Sequence, residues 1–270
     1  MSAIWLLGDV HSGFDHIHRA LDAAIDKPAA LVFLGDIEPT RPFHELVSSV
    51  RAQGMDVRWI IGNHDTGSEQ SYRNLSDPES MAMNIDGRIV TIAGIKIAGL
   101  GGVFRGHIWL PPDEPVFNRY DDFRKDFAHR QGLKRRLEKM DPISQLADEA
   151  KNGQLRKHHS SVFPDVYERL YGDRADVLCT HEAPHPHPHG FQALHDLAQA
   201  MGCKASFHGH QHDNLAYPIQ GNCQPYGVGL RGISALDTDT GEVTCVVPGE
   251  LDHARDARGI QYGFRKAIIR

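Results

Sequence analysis

An α/β architecture interrupted by a helical insertion is what this 270-residue sequence predicts, on three observations. Short apolar runs alternate with helix-period segments through roughly the first ninety residues. Each run ends in a polar cluster rich in Asp, Asn and His. From about 107 to 172 the texture changes to charged, helix-like sequence punctuated by Pro111-Pro112, Pro142 and Pro164. A single core stops growing near about 250 residues, so one domain over 1–270 with the insertion at about 107–172 is the expected organisation.

In chain order, Ile4-Leu7 reads as a strand, Phe14-Ile25 as a helix, Leu31-Leu34 as a strand, Pro42-Gln53 as a helix and Val57-Ile61 as a strand. Their C-terminal edges carry Gly8-Asp9-Val10-His11, Gly35-Asp36 and Gly62-Asn63-His64-Asp65, where active groups of open α/β sheets gather. Arg88-Ala93 and Ile95-Gly99 form a hairpin around Gly94, followed by a glycine-rich stretch from Gly99 to Gly106. After the insertion come a strand at Asp176-Thr180, a helix at Phe191-Met201, and strands at Lys204-Phe207, Leu215-Ile219 and Tyr226-Val228. A last pair, Gly232-Leu236 and Val243-Val247, flanks the turn sequence Asp237-Thr238-Asp239-Thr240-Gly241-Glu242.

Composition removes several classes of function. Hydrophobic residues make up 40% and charged residues 24%, which excludes a disordered or fibrous chain. A formal net charge of -6 supplies no global attraction to nucleic acid or anionic membrane, so a polyanionic substrate needs local positive charge such as a metal. No apolar run approaches the roughly 20 residues of a membrane helix. Met1-Ser2-Ala3-Ile4 shows no secretory pattern, and the four cysteines form no CxxC pair. The expected location is the cytoplasm, with reduced thiols. The unusual feature is 18 histidines, a residue that binds transition metals and donates protons near neutral pH.

The polar groups at the strand ends are Asp9 and His11, Asp36, Asn63 and His64, His181, and His210 and His212. On extended backbone an Asp-x-His or His-x-His pair points both side chains the same way. Carboxylate, amide and imidazole together suit Mn, Fe, Co, Ni or Zn better than Ca or Mg. So many ligand types are too many for one tetrahedral ion and suit two ions sharing a bridge, for which Asp36 is the natural choice. Two metals about 3.5–4 Å apart acidify a bound water and neutralise the oxygens of an in-line displacement at phosphorus. The chemistry is phosphoester hydrolysis.

Gly8-Asp9-Val10-His11, Gly35-Asp36, Gly62-Asn63-His64-Asp65, Thr180-His181 and Gly209-His210-Gln211-His212, in this order, resemble the five blocks of the calcineurin-like metallophosphoesterase family. The resemblance implies a four-layer α/β/β/α sandwich of two mixed sheets, with the β-rich tail in the second. It implies that Asp9, His11, Asp36 and His212 hold one divalent metal, and that Asp36, Asn63, His181 and His210 hold the other. Mn is the first expectation, with Fe, Zn, Ni and Co as alternatives. His64 would be the non-ligand histidine that steadies the phosphate and protonates the leaving oxygen, oriented by Asp65. Gly35-Asp36-Ile37-Glu38-Pro39-Thr40 departs from the Gly-Asp-x-Val-Asp-Arg-Gly of the Ser/Thr protein phosphatase branch, and Asn63-His64-Asp65 looks more like the phosphodiesterase, nuclease and nucleotide-hydrolase branches. The implied activity is hydrolysis of phosphomonoesters or phosphodiesters, leaning to nucleotide or nucleic-acid phosphodiesters, by attack of a dimetal-bound hydroxide. The substrate would be a phosphorylated small molecule, nucleotide or nucleic acid, with no membrane partner. A protein phosphatase, or a non-catalytic scaffold on the same fold, is the alternative.

Other motifs read more plainly. Alternating prolines should hold His185-Pro186-His187-Pro188-His189 extended as an exposed loop at the cleft rim. His208 should pack under the sheet. Gly99 to Gly106 lacks the Walker and dinucleotide patterns and reads as a turn, with Arg105 within reach of a substrate phosphate. Arg124-Lys125, Arg130 and Lys134-Arg135-Arg136 form a solvated helix face, and the one place where a nucleic-acid or nucleotide substrate gains attraction. Substrate specificity is expected in the insertion.

Overall fold

Four layers stack in the order helices, sheet, sheet, helices, in a computed structural model that describes residues 2–132, 140–219 and 221–256. The first sheet runs β10 (Val243–Val247), β9 (Ile233–Asp237), β1 (Ala3–Leu7), β2 (Ala30–Phe33), β3 (Asp56–Trp59). Its three consecutive strands β1, β2 and β3 are parallel, whereas β9 is antiparallel to both β1 and β10. The second runs β4 (Arg88–Ile92), β5 (Ile95–Leu100), β6 (Val177–Thr180), β7 (Ala205–His208), β8 (Gln224–Gly227). Only the β4–β5 hairpin is antiparallel there.

The period-two alternation of each strand feeds two different cores. Ile4, Leu6, Ala30 and Val32 face the second sheet and meet Ile97, Val177, Cys179, Ala205 and Phe207. Trp5, Leu7, Leu31 and Phe33 face outward under Ile17 and Leu21 of the helix Asp15–Ala23. On the far side Leu178 packs with Leu194, Leu197 and Met201 of the helix Gln192–Met201. The central strands of both sheets are therefore buried on two faces, which explains why they read as nearly continuous apolar runs.

Three expectations need correction. The tail hairpin β9–β10 completes the first sheet, not the second: Ala3 pairs with Asp237 and Leu7 with Ile233, and Leu236 and Val243 join the core between the sheets. Leu215-Ile219 forms no strand, only a bridge from Ala216 to Tyr226, because Pro218 has no N–H and Tyr217 turns its hydroxyl to Asp213 Oδ1 at 3.2 Å. Pro42-Gln53 is two short helices, Phe43–Leu46 and Ser48–Ala52, broken at Val47. Two further helices, Glu69–Ser76 and Pro78–Met81, follow β3, capped by Ser68 and Asp77, with Pro78 in a first-turn position.

The insertion is helical over Tyr120–Arg130, Pro142–Lys151, Gly153–His158 and Pro164–Tyr171, around a small core of Ile108, Phe123, Leu155 and Phe163. The basic stretch expected at Lys134-Arg135-Arg136 lies outside the described residues. Arg124 is not a free surface cation: it reaches Asp121 at 3.0 Å and Glu149 at 3.3 Å. Among the described residues no helix is long and apolar enough to cross a membrane.

His158 lies in the insertion core, its ring 4.4 Å from that of Phe123 and its Nδ1 2.9 Å from Ser161 Oγ. Burial, with the nearby charges of Arg105 and Lys157, pushes its imidazole down to about 4 from an ordinary 6.5. The folded value lies below the unfolded one, so the ring adds no cost above about pH 6.5 and a growing cost as pH falls toward about 4. Urea melts between those limits should show His158→Gln losing roughly 1–3 kcal/mol less stability than the parent over the window. Parallel pH slopes for the two proteins would contradict a buried neutral ring.

Candidate metal and phosphate site

Asp9 and His11 follow β1, Asp36 follows β2, and Asn63 and His64 follow β3, so the first sheet presents five of the expected residues at one edge. The second sheet faces them with His181 after β6 and His210 and His212 after β7. Two glycines let the loops come this close. A Cβ on Gly35 would collide with the His181 ring, and one on Gly62 with the Asp36 carboxylate and backbone.

The paired motifs do not work by strand alternation as expected. His11 (φ 42), Asp36 (φ 49), His210 (φ 63) and His212 (φ 55) all sit in the left-handed region, so the pairs converge through tight turns. Non-glycine residues enter that region at a cost of about 1–2 kcal/mol each, and Ser12 and Glu38 do so as well. Strain is concentrated where the side chains meet.

Asp36 is fully buried, and its two oxygens face two different groups. Oδ2 lies 4.0 Å from His11 Nε2, which is 3.4 Å from His212 Nε2, and His212 Nε2 is 3.7 Å from Asp9 Oδ2. Oδ1 lies 3.5 Å from His181 Nε2, which is 3.1 Å from Asn63 Oδ1, and His210 offers a nitrogen within 4.8 Å of both Asp36 and His181. All seven side chains named above thus come together in two overlapping sets.

The donor set calls for a positive charge. His181 Nδ1 donates to Leu34 O at 2.8 Å, which leaves Nε2 as a lone pair beside the oxygens of Asp36 and Asn63. Asp9 Oδ2 is buried and accepts no hydrogen bond among the described residues. Without a cation a proton takes its place: burial opposes the charged form, but the Asp36 carboxylate raises His181 well above its ordinary range. Burial likewise opposes the Asp36 charge, yet His181 and the His64 N–H, 2.7 Å from Oδ1, hold it low. Burial raises Asp9. A pocket of lone pairs and buried carboxylates that favours positive charge has the chemistry of a divalent-cation site.

His64 is exposed at the mouth, its ring 5.1 Å from that of His11. Asp65 does not orient it. Its buried carboxylate accepts from Ile37 N at 2.7 Å, Glu38 N at 2.8 Å and Gly62 N at 2.8 Å, tying the loop after β2 to the loop after β3. Burial and the neighbouring Asp36 charge push Asp65 upward.

Other motifs resolve similarly. His185-Pro186-His187-Pro188-His189 is a compact turn, not an extended strip: His187 is buried with Nε2 3.0 Å from Asp213 Oδ2, while its other two histidines, His185 and His189, are exposed. His208 is buried, as expected of a packing residue, with Nδ1 donating to Gly209 O at 2.9 Å. The Gly101 and Gly102 N–H groups bond Asp86 Oδ1 and Ile61 O, both at 2.7 Å, so they cradle no phosphate. Arg105 turns away to Ser160 O and Ser161 Oγ.

Residues to which the sequence assigned no role also reach this site. Glu38 Oε2 lies 2.6 Å from His11 Nδ1. Glu182 Oε1 lies 3.5 Å from His210 Nε2, and burial pushes its carboxyl up to about 7. Arg156 of the insertion donates to Thr66 O at 3.0 Å and Gly67 O at 3.2 Å, while Thr66 Oγ1 meets Ser160 Oγ at 2.7 Å. The insertion thereby grips the turn His64–Thr66. Long-range partners of this kind leave no motif in the sequence.

The sequence model of a family described as calcineurin-like phosphoesterase matches residues 2–214. An uncharacterized protein of Haemophilus influenzae is 36% identical over 236 residues, covering 86% of this chain and 92% of its own. A dimetal phosphatase from Danio rerio shares the fold with a TM-score of 0.56 at 12% identity, over 92% of this chain and 97% of that one.

Asp65→Ala strips the acceptor from three backbone N–H groups, each worth about 1–3 kcal/mol when buried unpaired, so metal-free protein should lose several kcal/mol in urea melts. His64→Ala, at an exposed ring, should lose under about 1 kcal/mol. Equal, small losses in both variants would restore the reading of Asp65 as a support for the His64 ring.

Proposed function

This chain belongs to the calcineurin-like phosphoesterase family, and on that footing we propose that it is a dinuclear metal-dependent hydrolase of phosphodiesters or phosphomonoesters of nucleotide size. The observation that carries the reading is the place of Asp36 between the two sets, with Oδ2 4.0 Å from the His11 Nε2 that neighbours His212, and Oδ1 3.5 Å from the His181 Nε2 that neighbours Asn63. Each group would hold one divalent ion, Mn before Fe, Zn, Ni or Co. Bound there, the pair would supply Lewis acidity, lowering the pKa of a water and offsetting the charge that grows on the phosphoryl oxygens.

The chain's own residues supply the rest. Asp36, its charge held by His181 and by the His64 N–H, fixes the spacing of the two groups. His64, exposed at the mouth beside His11, is placed to hydrogen-bond a phosphoryl oxygen and to give a proton to the departing oxygen. Asp65 holds the loops that carry Asp36 and His64 in register. Arg156 and the Thr66–Ser160 contact set the turn on which His64 stands.

A nucleotide-sized substrate is favoured over a polynucleotide by charge. The two arginines of the described part of the basic face are tied to acidic neighbours, Arg124 to Asp121 and Glu149, and Arg130 to Asp126, so a long polyanion gains little from them beyond the site. The Asn63-His64-Asp65 block and the absence of the Val-Asp-Arg-Gly run favour the diesterase side of the family over the protein phosphatases.

Metal-stripped protein should be silent and gain hydrolysis of a bis-aryl phosphate or aryl phosphate on adding Mn. A parallel panel of cyclic nucleotides, single-stranded DNA and a phosphopeptide ranks the substrate classes. His64→Ala should lower kcat by about 10²–10⁴-fold, the usual contribution of a proton-transfer group, with the metal content unchanged. Asp36→Asn should lose both metal and activity. Silence with every one of the five metals, or loss of metal from the His64 variant, would overturn this division of roles.

A further inference from the structure

We infer that Glu38 is the positioning residue of His11, the carboxylate that accepts the hydrogen bond of Nδ1–H and thereby turns the lone pair of Nε2 into the site. The inference rests on the metal reading of the site above and names a residue that the five sequence blocks leave without a role.

The two nitrogens of His11 face opposite ways. Nδ1 lies 2.6 Å from Glu38 Oε2, whereas Nε2 points inward, 3.4 Å from His212 Nε2 and 4.0 Å from Asp36 Oδ2. A carboxylate only accepts, so the proton of a neutral ring belongs on Nδ1. Nε2 is then the lone pair, the form in which an imidazole ligates. The same logic operates at His181, whose Nδ1 donates to the Leu34 carbonyl while Nε2 faces Asp36. His181 is buried among backbone and uses a neutral acceptor. His11 lies at the open edge and uses a charged one, which would make Nε2 a stronger ligand and add negative charge beside a bound cation.

Glu38 is built into this position. Its N–H donates to Asp65 Oδ1 at 2.8 Å, its carbonyl accepts from Ser12 Oγ at 2.6 Å, and its backbone is left-handed at φ 49. The loop carrying His11 is bound to the same segment, His11 N to Asp36 O and Ser12 N to Ile37 O, both at 2.9 Å. Glu38 also lies within 4.8 Å of a ring nitrogen of His64, so the carboxylate beside that histidine is Glu38, where sequence had suggested Asp65. The side chain of Glu38 is 34% exposed. As a mere surface ion pair it would contribute about 0–1 kcal/mol to stability and nothing to metal affinity.

The test has two independent readouts on the full chain. In metal-free protein, at a pH above the imidazole range, ¹⁵N NMR of the histidine rings should find His11 as the Nδ1–H tautomer in the parent and in Glu38→Gln, whose amide oxygen still accepts. Glu38→Ala should give a mixture of tautomers. In Mn titrations followed by electron paramagnetic resonance, Glu38→Ala should weaken one of the two sites by about 10–100-fold, the usual effect of losing such an outer partner, and leave the other unchanged. Glu38→Gln should recover most of that loss. An Nε2–H tautomer in the parent, an unchanged tautomer in Glu38→Ala, or parental Mn affinity in that variant overturns the inference. A parent that binds no Mn refutes the metal reading instead, and the NMR arm then decides the role of Glu38 alone.

Discussion

The buried charge of Asp36 is the constraint around which the site is arranged. A carboxylate at the centre of a protein survives only with positive charge or donors on both oxygens, and here one oxygen faces His181 while the other faces His11. Everything close to it serves that end. Gly35 and Gly62 remove the side chains that would keep the loops apart, and the His64 N–H caps Oδ1. Asp9, equally buried, leaves one oxygen without a hydrogen bond among the described residues.

Such an arrangement is costly in backbone conformation. Six non-glycine residues at the site, His11, Ser12, Asp36, Glu38, His210 and His212, adopt positive φ, against two others among the described residues, Ala93 and Arg231, of which Arg231 is bonded to the loop carrying His11. The clustering shows where packing elsewhere offsets local strain. Asp65 provides much of the restraint, since its three backbone partners span Ile37, Glu38 and Gly62. The insertion adds a second restraint from outside the sandwich, through Arg156 and Ser160.

Most of the architecture was legible because strand periodicity and loop punctuation are local signals. Ile4-Leu7, Leu31-Leu34 and Val57-Ile61 sit in strands β1, β2 and β3 or at their ends, and the polar groups that follow them stand at one edge as anticipated. Sheet membership was not legible, since nothing local in Gly232-Leu236 says whether it pairs with β1 or with β8. Within the site, the spacing of Asp9 and His11 was visible but its mechanism was not, because φ at His11 is set by tertiary contacts. The part of Asp65 was misjudged for a related reason. Adjacency to His64 suggested a partnership, whereas the turn sends the two side chains in different directions. Glu38 and Arg156 were hidden because their partners lie 27 and 90 residues away.

The groups around Asp36 come from both halves of the sandwich: β1, β2 and β3 deliver Asp9, His11, Asp36 and Asn63, while β6 and β7 deliver His181, His210 and His212. The site is therefore a rivet through the seam between the sheets, and neither leaf owns a full set of donors. Any ion seated there ties chelation to closure of the seam, so that affinity for the ion and resistance of the two leaves to parting become one linked quantity. Starving the protein of metal would then be felt first as a loosening between the leaves, before either of them frays.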